Sequence, residues 1–262
     1  MSERGEKLSS MKAQVYLDPR PKEYFDRFHT RARTREPGWM YSAIHAATML
    51  YALSFFRARC ISAEKVPASG PVILAPNHFS FMDHFFLGMG IRRRVRFMAK
   101  SQLFTPPAQW VYSRGGVFPV RRGHRDEEAL TTARTILVRG GCMAMYCEGG
   151  RSRTGELAES AKPGIGGLAL QTGAMVVPVA IHGSSKVRNW KRAEFPKVTI
   201  QYGEPFRFER VAEPTRGQMQ ATADEIFAAI KVLYAGLEAH GRRGVVARLR
   251  AERRAARRTA AA

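Results

Sequence analysis

Residues 71–83 read PVILAPNHFSFMD, and this stretch decides how the chain is built. Its first five residues form a short apolar run with a β-branched pair, Val72 and Ile73, which predicts a strand. Pro76 favours an extended residue before it, and the chain then leaves the sheet through Asn77 and His78. Ser80 is a good helix N-cap, so a helix is expected to start there with Asp83 in its first turns. In a regular helix, residues five apart point about 140° away from each other. His78 and Asp83 can therefore touch only if His78 stays in the loop. That puts a His/Asp pair at the end of a strand, where α/β sheets form their ligand sites.

Working outward, strand-length apolar runs recur at 95–99, 117–120, 142–146, 176–181 and 198–202, with helical patterns at 126–139 and 166–172. Such alternation predicts an α/β fold, a sheet with helices on its faces. Ile226, Ile230, Leu233 and Leu237 are spaced by four, three and four, which predicts an amphipathic helix. The expected organisation is a polar basic arm over 1–37, loosely ordered because Pro19, Pro21 and Pro37 interrupt it, and a membrane-associating helix over 38–59. A main domain follows over 60–213, then the amphipathic helix over 214–240 and a basic tail over 241–262 with eight arginines and one acid.

Charge narrows the partners. The 262 residues carry a formal charge of +21, which attracts nucleic acid or an anionic lipid surface. A nucleic-acid partner calls for a groove-binding or base-stacking module, and the sequence contains none. The segment Trp39–Phe56, WMYSAIHAATMLYALSFF, has no formal charge over eighteen residues and ends against Arg57 and Arg59. A span needs roughly 20 predominantly apolar residues, and Ser42, His45, Thr48 and Ser54 dilute this one. Trp39, Tyr41 and Tyr51 suit an interface. A helix buried on the core, one lying in a leaflet and one crossing the bilayer all remain open. Cys60, Cys142 and Cys147 are odd in number and lack CxxC spacing, so a reducing compartment is expected, with no disulfide framework and no metal site. The start of the chain, Ser2, Glu3, Arg4 and Gly5, does not suggest a cleaved secretory signal.

The chemistry that uses the His78/Asp83 pair is general-base catalysis: the carboxylate fixes the imidazole tautomer and the other nitrogen takes a proton from a hydroxyl. No GxSxG nucleophile elbow occurs, so that hydroxyl need not belong to the protein. Between Asp83 and Asp126 there is no acid but nine cations: Arg92, Arg93, Arg94, Arg96, Lys100, Arg114, Arg121, Arg122 and Arg125. This imbalance predicts a focused positive field, and Arg121 and Arg122 leave a short strand as guanidinium forks suited to phosphate. A second strand exit carries Glu148, Gly149, Gly150, Arg151, Ser152 and Arg153. Its glycine amides can form an anion nest, while Glu148 would orient an arginine or bind a substrate hydroxyl. Complete phosphate-loop and dinucleotide motifs are absent.

Taken in order, Asn77-His78 with Asp83, the glycine–strand–arginine block ending at Arg122, Glu148-Gly149-Gly150-Arg151-Ser152, and Val177-Pro178-Val179 resemble the four blocks of the lysophosphatidic acid acyltransferase family, the 1-acylglycerol-3-phosphate O-acyltransferases. The resemblance covers roughly residues 70–185. It implies a two-layer glycerolipid-acyltransferase-like sheet flanked by helices, with an N-terminal membrane-associating helix for which Trp39–Phe56 could serve. It also implies transfer of a fatty acyl group from a thioester of coenzyme A or acyl carrier protein to the 2-hydroxyl of lysophosphatidic acid, giving phosphatidic acid without a cofactor. In that scheme His78 is the base and Asp83 orients it. Arg122, Glu148, Gly149 and Arg151, with Asn77, Arg121, Gly150 and Ser152 beside them, bind the acceptor. The expected place of work is the cytoplasmic face of the cell membrane, peripheral or monotopic. Arg121 stands where many members have Asp, and Cys147 where many have Pro; both bear on acceptor choice. Another lyso-lipid or glycolipid acceptor, and a catalytically silent lipid-binding scaffold, are the alternatives. The arginine tail either adds membrane adhesion, at about 1 kcal/mol per basic residue, or solubilises.

Overall fold

The six apolar runs pair with one further short segment into a single sheet of seven strands. The computed structural model describes residues 17–122, 126–187 and 193–259. In chain order its elements are α1 (Glu23–Thr34), α2 (Trp39–Phe56), β1 (Arg59–Ile61), β2 (Val72–Pro76), α3 (Asp83–Gly88), β3 (Val95–Lys100), α4 (Ala108–Arg114), β4 (Val117–Val120), α5 (Glu127–Val138), β5 (Cys142–Ala144), α6 (Pro163–Thr172), β6 (Met175–His182), β7 (Thr199–Tyr202) and α7 (Arg216–Thr259). Residues 1–16 of the arm, Arg125 of the basic run and the last three residues of the tail lie outside the described residues.

The strand order is β1-β7-β6-β2-β5-β3-β4, and all pairings are parallel except β6 with β7. Every residue of the central strand β2 is buried, as a parallel strand covered on both faces requires. Alternation along β2 and β6 shows what covers each face. Val72, Leu74, Val177, Val179 and Ile181 pack against Ala52 and Phe56 of α2 and Phe86 and Leu87 of α3. Ile73, Ala75 and Val176 pack against Ile136 of α5, Leu168 of α6 and Ile226, Phe227 and Ile230 of α7. Helices therefore sit on both faces, and the fold has three layers instead of the two expected.

Two segments that looked loose in sequence are built into the fold. Phe25 and Phe28 of α1 are buried against Ala99 and Phe104, so this part of the arm is core. The long helix α7 breaks at Gly241, whose φ of 60° and ψ of 176° are not helical. Beyond the break, Val245, Val246 and Leu249 pack beside Ile61. Arg242 donates to the Thr199 hydroxyl (2.9 Å) and to the carbonyls of Val198 (2.8 Å) and Arg57 (2.9 Å). The basic stretch is thus bonded to the start of β7 and packs beside β1, the edge strand of the sheet.

Among the described residues no helix is long and apolar enough to cross a membrane. Nor is α2 a buried helix: only Met40, Ala52 and Phe56 are buried, while Trp39 is 75% and Leu50 67% exposed. Its inner face is tied to the domain by His45 Nε2 at 3.0 Å from the Gly88 carbonyl, and by the Tyr41 hydroxyl accepting from Val95 N–H at 3.0 Å.

Candidate active site

The site forms where β2 leaves the sheet. Asn77 is fully buried and clamps the loop to β6, donating to the Ile181 carbonyl (3.1 Å) and accepting from Ile181 N–H (2.7 Å). Both ends of its amide are spent on that strand, and it lines neither of the two cavities described below. His78 N–H donates to Glu148 Oε2 at 3.2 Å, and its carbonyl accepts from Ser152 N–H at 2.9 Å. The two sequence blocks are thereby stitched together through the backbone.

Asp83 opens α3 and is wholly buried. Its Oδ2 accepts three bonds: from His78 Nδ1 (2.9 Å), Phe79 N–H (2.7 Å) and Ser80 N–H (2.7 Å). Oδ1 has no partner among the described residues. Met82 occupies the cap position of α3; the Ser80 hydroxyl instead supports the preceding turn by accepting from Met82 N–H at 3.2 Å. The helix starts later than Ser80 suggested, with His78 in the loop as the helix geometry demanded. A carboxylate oxygen facing Nδ1 requires that nitrogen to carry the proton, which leaves the lone pair on Nε2. Burial holds His78 below the usual imidazole range, opposed by Asp83 and reinforced by Arg151 and Arg122. Burial therefore disfavours the doubly protonated ring and leaves the Nε2 lone pair free, as a base requires.

Two neighbours escaped the sequence analysis. The Tyr146 ring stacks on His78 with centroids 3.8 Å apart and planes 20° apart, and its hydroxyl lies 2.8 Å from His84 Nδ1. His84 in turn stacks on Phe97 at 5.3 Å and 12°. Burial pushes the tyrosine well up and the His84 ring down to about 3. The signal for them was faint: a second histidine directly after Asp83, and an aromatic where a strand ends two residues before Glu148.

A cavity of about 970 Å³ collects Arg121, Arg122, Glu148, Gly149, Gly150, Arg151 and Ser152, together with Arg153, Lys162 and the start of α6. All the expected acceptor residues except Asn77 meet there. Gly149 has φ +68°, which favours glycine, and a side chain there would press on Lys162 at 3.0 Å. Burial pushes the Glu148 carboxyl up to about 7, and its Oε1 is buried without a partner among the described residues. Of the two departures from the family pattern, Arg121 lines this cavity, whereas Cys147 is fully buried in the core and cannot reach a substrate. The basic run is less of a field than it looked. Arg93 donates to the Pro67 and Gly140 carbonyls, Arg94 to Pro37, and Arg96 to Ala32 and Arg35, so these three tie loops together.

A second, apolar cavity of about 230 Å³ lies between α2, α3 and the β3–β4 edge, lined by Ile44, Phe85, Phe97, Ala99 and Val117 among others, and it includes His84. His78 lines neither cavity itself: its backbone N–H reaches Glu148 on the wall of the polar one, and its ring stacks on Tyr146, which bonds His84 on the wall of the apolar one.

Residues 57–182 match the family described as Acyltransferase. The chloroplastic 1-acyl-sn-glycerol-3-phosphate acyltransferase LPAT1 of Arabidopsis thaliana is 30% identical over 137 residues, which are 51% of this chain and 38% of that protein. The chloroplastic 1-acyl-sn-glycerol-3-phosphate acyltransferase BAT2 of Brassica napus is 28% identical over 137 residues, 51% of this chain and 39% of that one. The matched segment thus spans about two fifths of the length of these curated relatives. The crystal structure of the 1-acyl-sn-glycerophosphate acyltransferase PlsC from Thermotoga maritima superposes with a TM-score of 0.57 at 21% identity, over 80% of this chain and 86% of that one, which is a likeness of fold. The matched residues include His78, Asp83, Glu148 and Arg151, so the segment that carries the site is the one similar to the acyltransferases.

Proposed function

We propose that the protein transfers a fatty acyl group from a thioester to the 2-hydroxyl of 1-acylglycerol-3-phosphate, giving phosphatidic acid. The observation that carries this is an imidazole oriented by a buried carboxylate, whose own backbone N–H is bonded to Glu148 on the wall of a cation-lined cavity. The acceptor phosphate lies against Arg122, Arg151 and the backbone amides at Gly149 and Gly150, with Arg121 as an added cation that favours a phosphate-bearing acceptor over a neutral glycolipid. The acyl chain of the donor occupies the apolar cavity. His78 Nε2 takes the hydroxyl proton as that oxygen attacks the thioester carbonyl carbon, and Asp83 stabilises the imidazolium. When the C–S bond breaks, the sulfur receives the proton from Nε2. Base catalysis of this kind contributes about 10²- to 10⁴-fold. Every step uses groups of the protein and its two substrates, with coenzyme A or acyl carrier protein carrying the thioester.

The same chemistry suits a chain resting on one leaflet. Trp39, Leu50 and Phe55 of α2, together with Phe81, Trp110 and Val111, are exposed large apolar side chains. Phe81 and Val111 also line the apolar cavity, so lipid chains would pass from leaflet to site across an apolar surface. The test is transfer from radiolabelled oleoyl-coenzyme A to lysophosphatidic acid, beside a carrier-protein donor and a panel of other lyso-lipids. Phosphatidic acid is the expected product. Transfer only to a lyso-lipid without a terminal phosphate would move the acceptor, and silence with every pair would refute the proposal.

A further inference from the structure

The proposed reaction leaves two half-buried groups unused, the Tyr146 hydroxyl and the His84 ring. An enclosed phenol O–H needs an acceptor. The one hydrogen-bond partner of Tyr146 among the described residues is His84 Nδ1, at 2.8 Å. For the phenol to donate, that nitrogen must hold a lone pair, so the single proton of a neutral His84 sits on Nε2. Burial, with the nearby His78 second, disfavours the charged form and keeps the ring neutral through the working pH range. Nε2–H has no protein acceptor among the described residues. The ring forms part of the wall of the apolar cavity, and its centroid is 5.3 Å from that of His78. A donor without a protein acceptor therefore borders the apolar cavity on a ring that is in direct contact with the ring of the base.

We propose that His84 is a second catalytic histidine, whose Nε2–H binds the thioester carbonyl oxygen and the oxyanion it becomes. Tyr146 is a positioning residue: its hydroxyl sets the His84 tautomer and its ring fixes the plane of His78 by stacking. The assignment rests on the acyl-transfer chemistry proposed above. As the acceptor oxygen bonds to the carbonyl carbon, the carbonyl π electrons move onto its oxygen, and His84 donates a hydrogen bond to it without losing its proton. On collapse those electrons re-form the C=O bond, the C–S pair leaves with sulfur, and His78 returns the proton to it. The arrangement suits an oxyanion donor because a neutral imidazole, held by a phenol, needs no reorganisation as charge develops.

The experiment measures kcat and KM for His84→Leu, His84→Gln, Tyr146→Phe and His78→Ala, with melting curves for each, and records imidazole ¹⁵N spectra of the wild type. His84→Leu is expected to lower kcat by about 10²- to 10³-fold with both KM values nearly unchanged. His84→Gln, which keeps an N–H donor, should recover at least part of that loss. Tyr146→Phe keeps the stack and frees the tautomer, so its loss should fall on kcat and be smaller. The spectra should report His84 as the neutral Nε2–H tautomer from pH 6 to pH 9. A folded His84→Leu with wild-type kcat, or an Nδ1–H or charged His84, would overturn the proposal while a dead His78→Ala left the acyl-transfer chemistry standing. An active His78→Ala, or no transfer by the wild type, would overturn both.

Discussion

Replacing Asp83 by Asn separates geometry from charge, because the two carboxylate oxygens do unequal work. Oδ2 accepts from His78, Phe79 and Ser80, whereas Oδ1 accepts from nothing among the described residues. The single oxygen of an Asn will therefore take the Oδ2 position, since the flipped amide would set its NH₂ against two backbone N–H groups. The His78 tautomer and orientation survive, and only the negative charge is lost. For charges about 4 Å apart at an effective dielectric near 20, that charge stabilises the imidazolium by about 4 kcal/mol. This sets a ceiling of roughly 10³-fold on the rate. Asp83→Asn should accordingly lower kcat by about 10²- to 10³-fold, with little change in KM for the acceptor. Stability should drop by about 3 kcal/mol, about 1 for each of the three bonds to a charged acceptor that become bonds to a neutral one. Asp83→Ala strands two buried N–H groups at about 1–3 kcal/mol each and should cost about 2–6 kcal/mol. Steady-state radiolabelled transfer and urea unfolding measure the two effects. An Asn variant within fivefold of wild type would show that the charge takes no part in catalysis.

Gly166 lies where α6 meets α7, and a Cβ there would stand 2.0 Å from the Met219 carbonyl oxygen and 2.8 Å from Ala223 N. Because both are backbone atoms, Gly166→Ala must push the helices apart and should destabilise by about 3 kcal/mol; an unchanged melting temperature would contradict this contact. Glu148 keeps its proton in the folded protein up to about 7, above its ordinary 4.5. Between those values the unfolded chain ionises while the folded one does not, so this group withdraws up to about 3 kcal/mol of stability as pH rises through that window. Glu148→Gln should remove that slope, seen as the difference between wild-type and variant unfolding free energies from pH 4.5 to pH 7.5; parallel curves would refute it. Trp39→Ser combined with Phe81→Ser should weaken binding to anionic vesicles by at least about tenfold, from the apolar burial lost. Unchanged co-sedimentation would remove α2 from the membrane-facing surface.

The sheet was legible because its strands are apolar runs bounded by Gly, Pro and charge, and a parallel strand buried on both faces needs such a run. Strand β1 was not, since Arg59, Cys60 and Ile61 have no pattern of their own and are held by pairing with β7. The His78/Asp83 contact could be argued locally, from the angle per helical residue. Tyr146 and His84 could not, because their contact depends on β5 lying beside β2, a long-range fact. Charge was the least reliable guide. Arg93, Arg94 and Arg96 read as part of an anion field but spend their donors on backbone carbonyls, and sequence does not show where a guanidinium ends. In the same way the arginine tail contained its own anchor: Val245 and Leu249 recur at helical spacing, yet only the fold puts that apolar stripe beside β1.

The most direct measurement is the rate of phosphatidic acid formation by wild-type protein and by His78→Ala, with oleoyl thioesters of coenzyme A and of acyl carrier protein as donors. Product from the wild type and a fall of about 10²- to 10⁴-fold in the variant, with an unchanged melting curve, are expected. A folded His78→Ala protein that turns over at the wild-type rate would show that the base lies elsewhere.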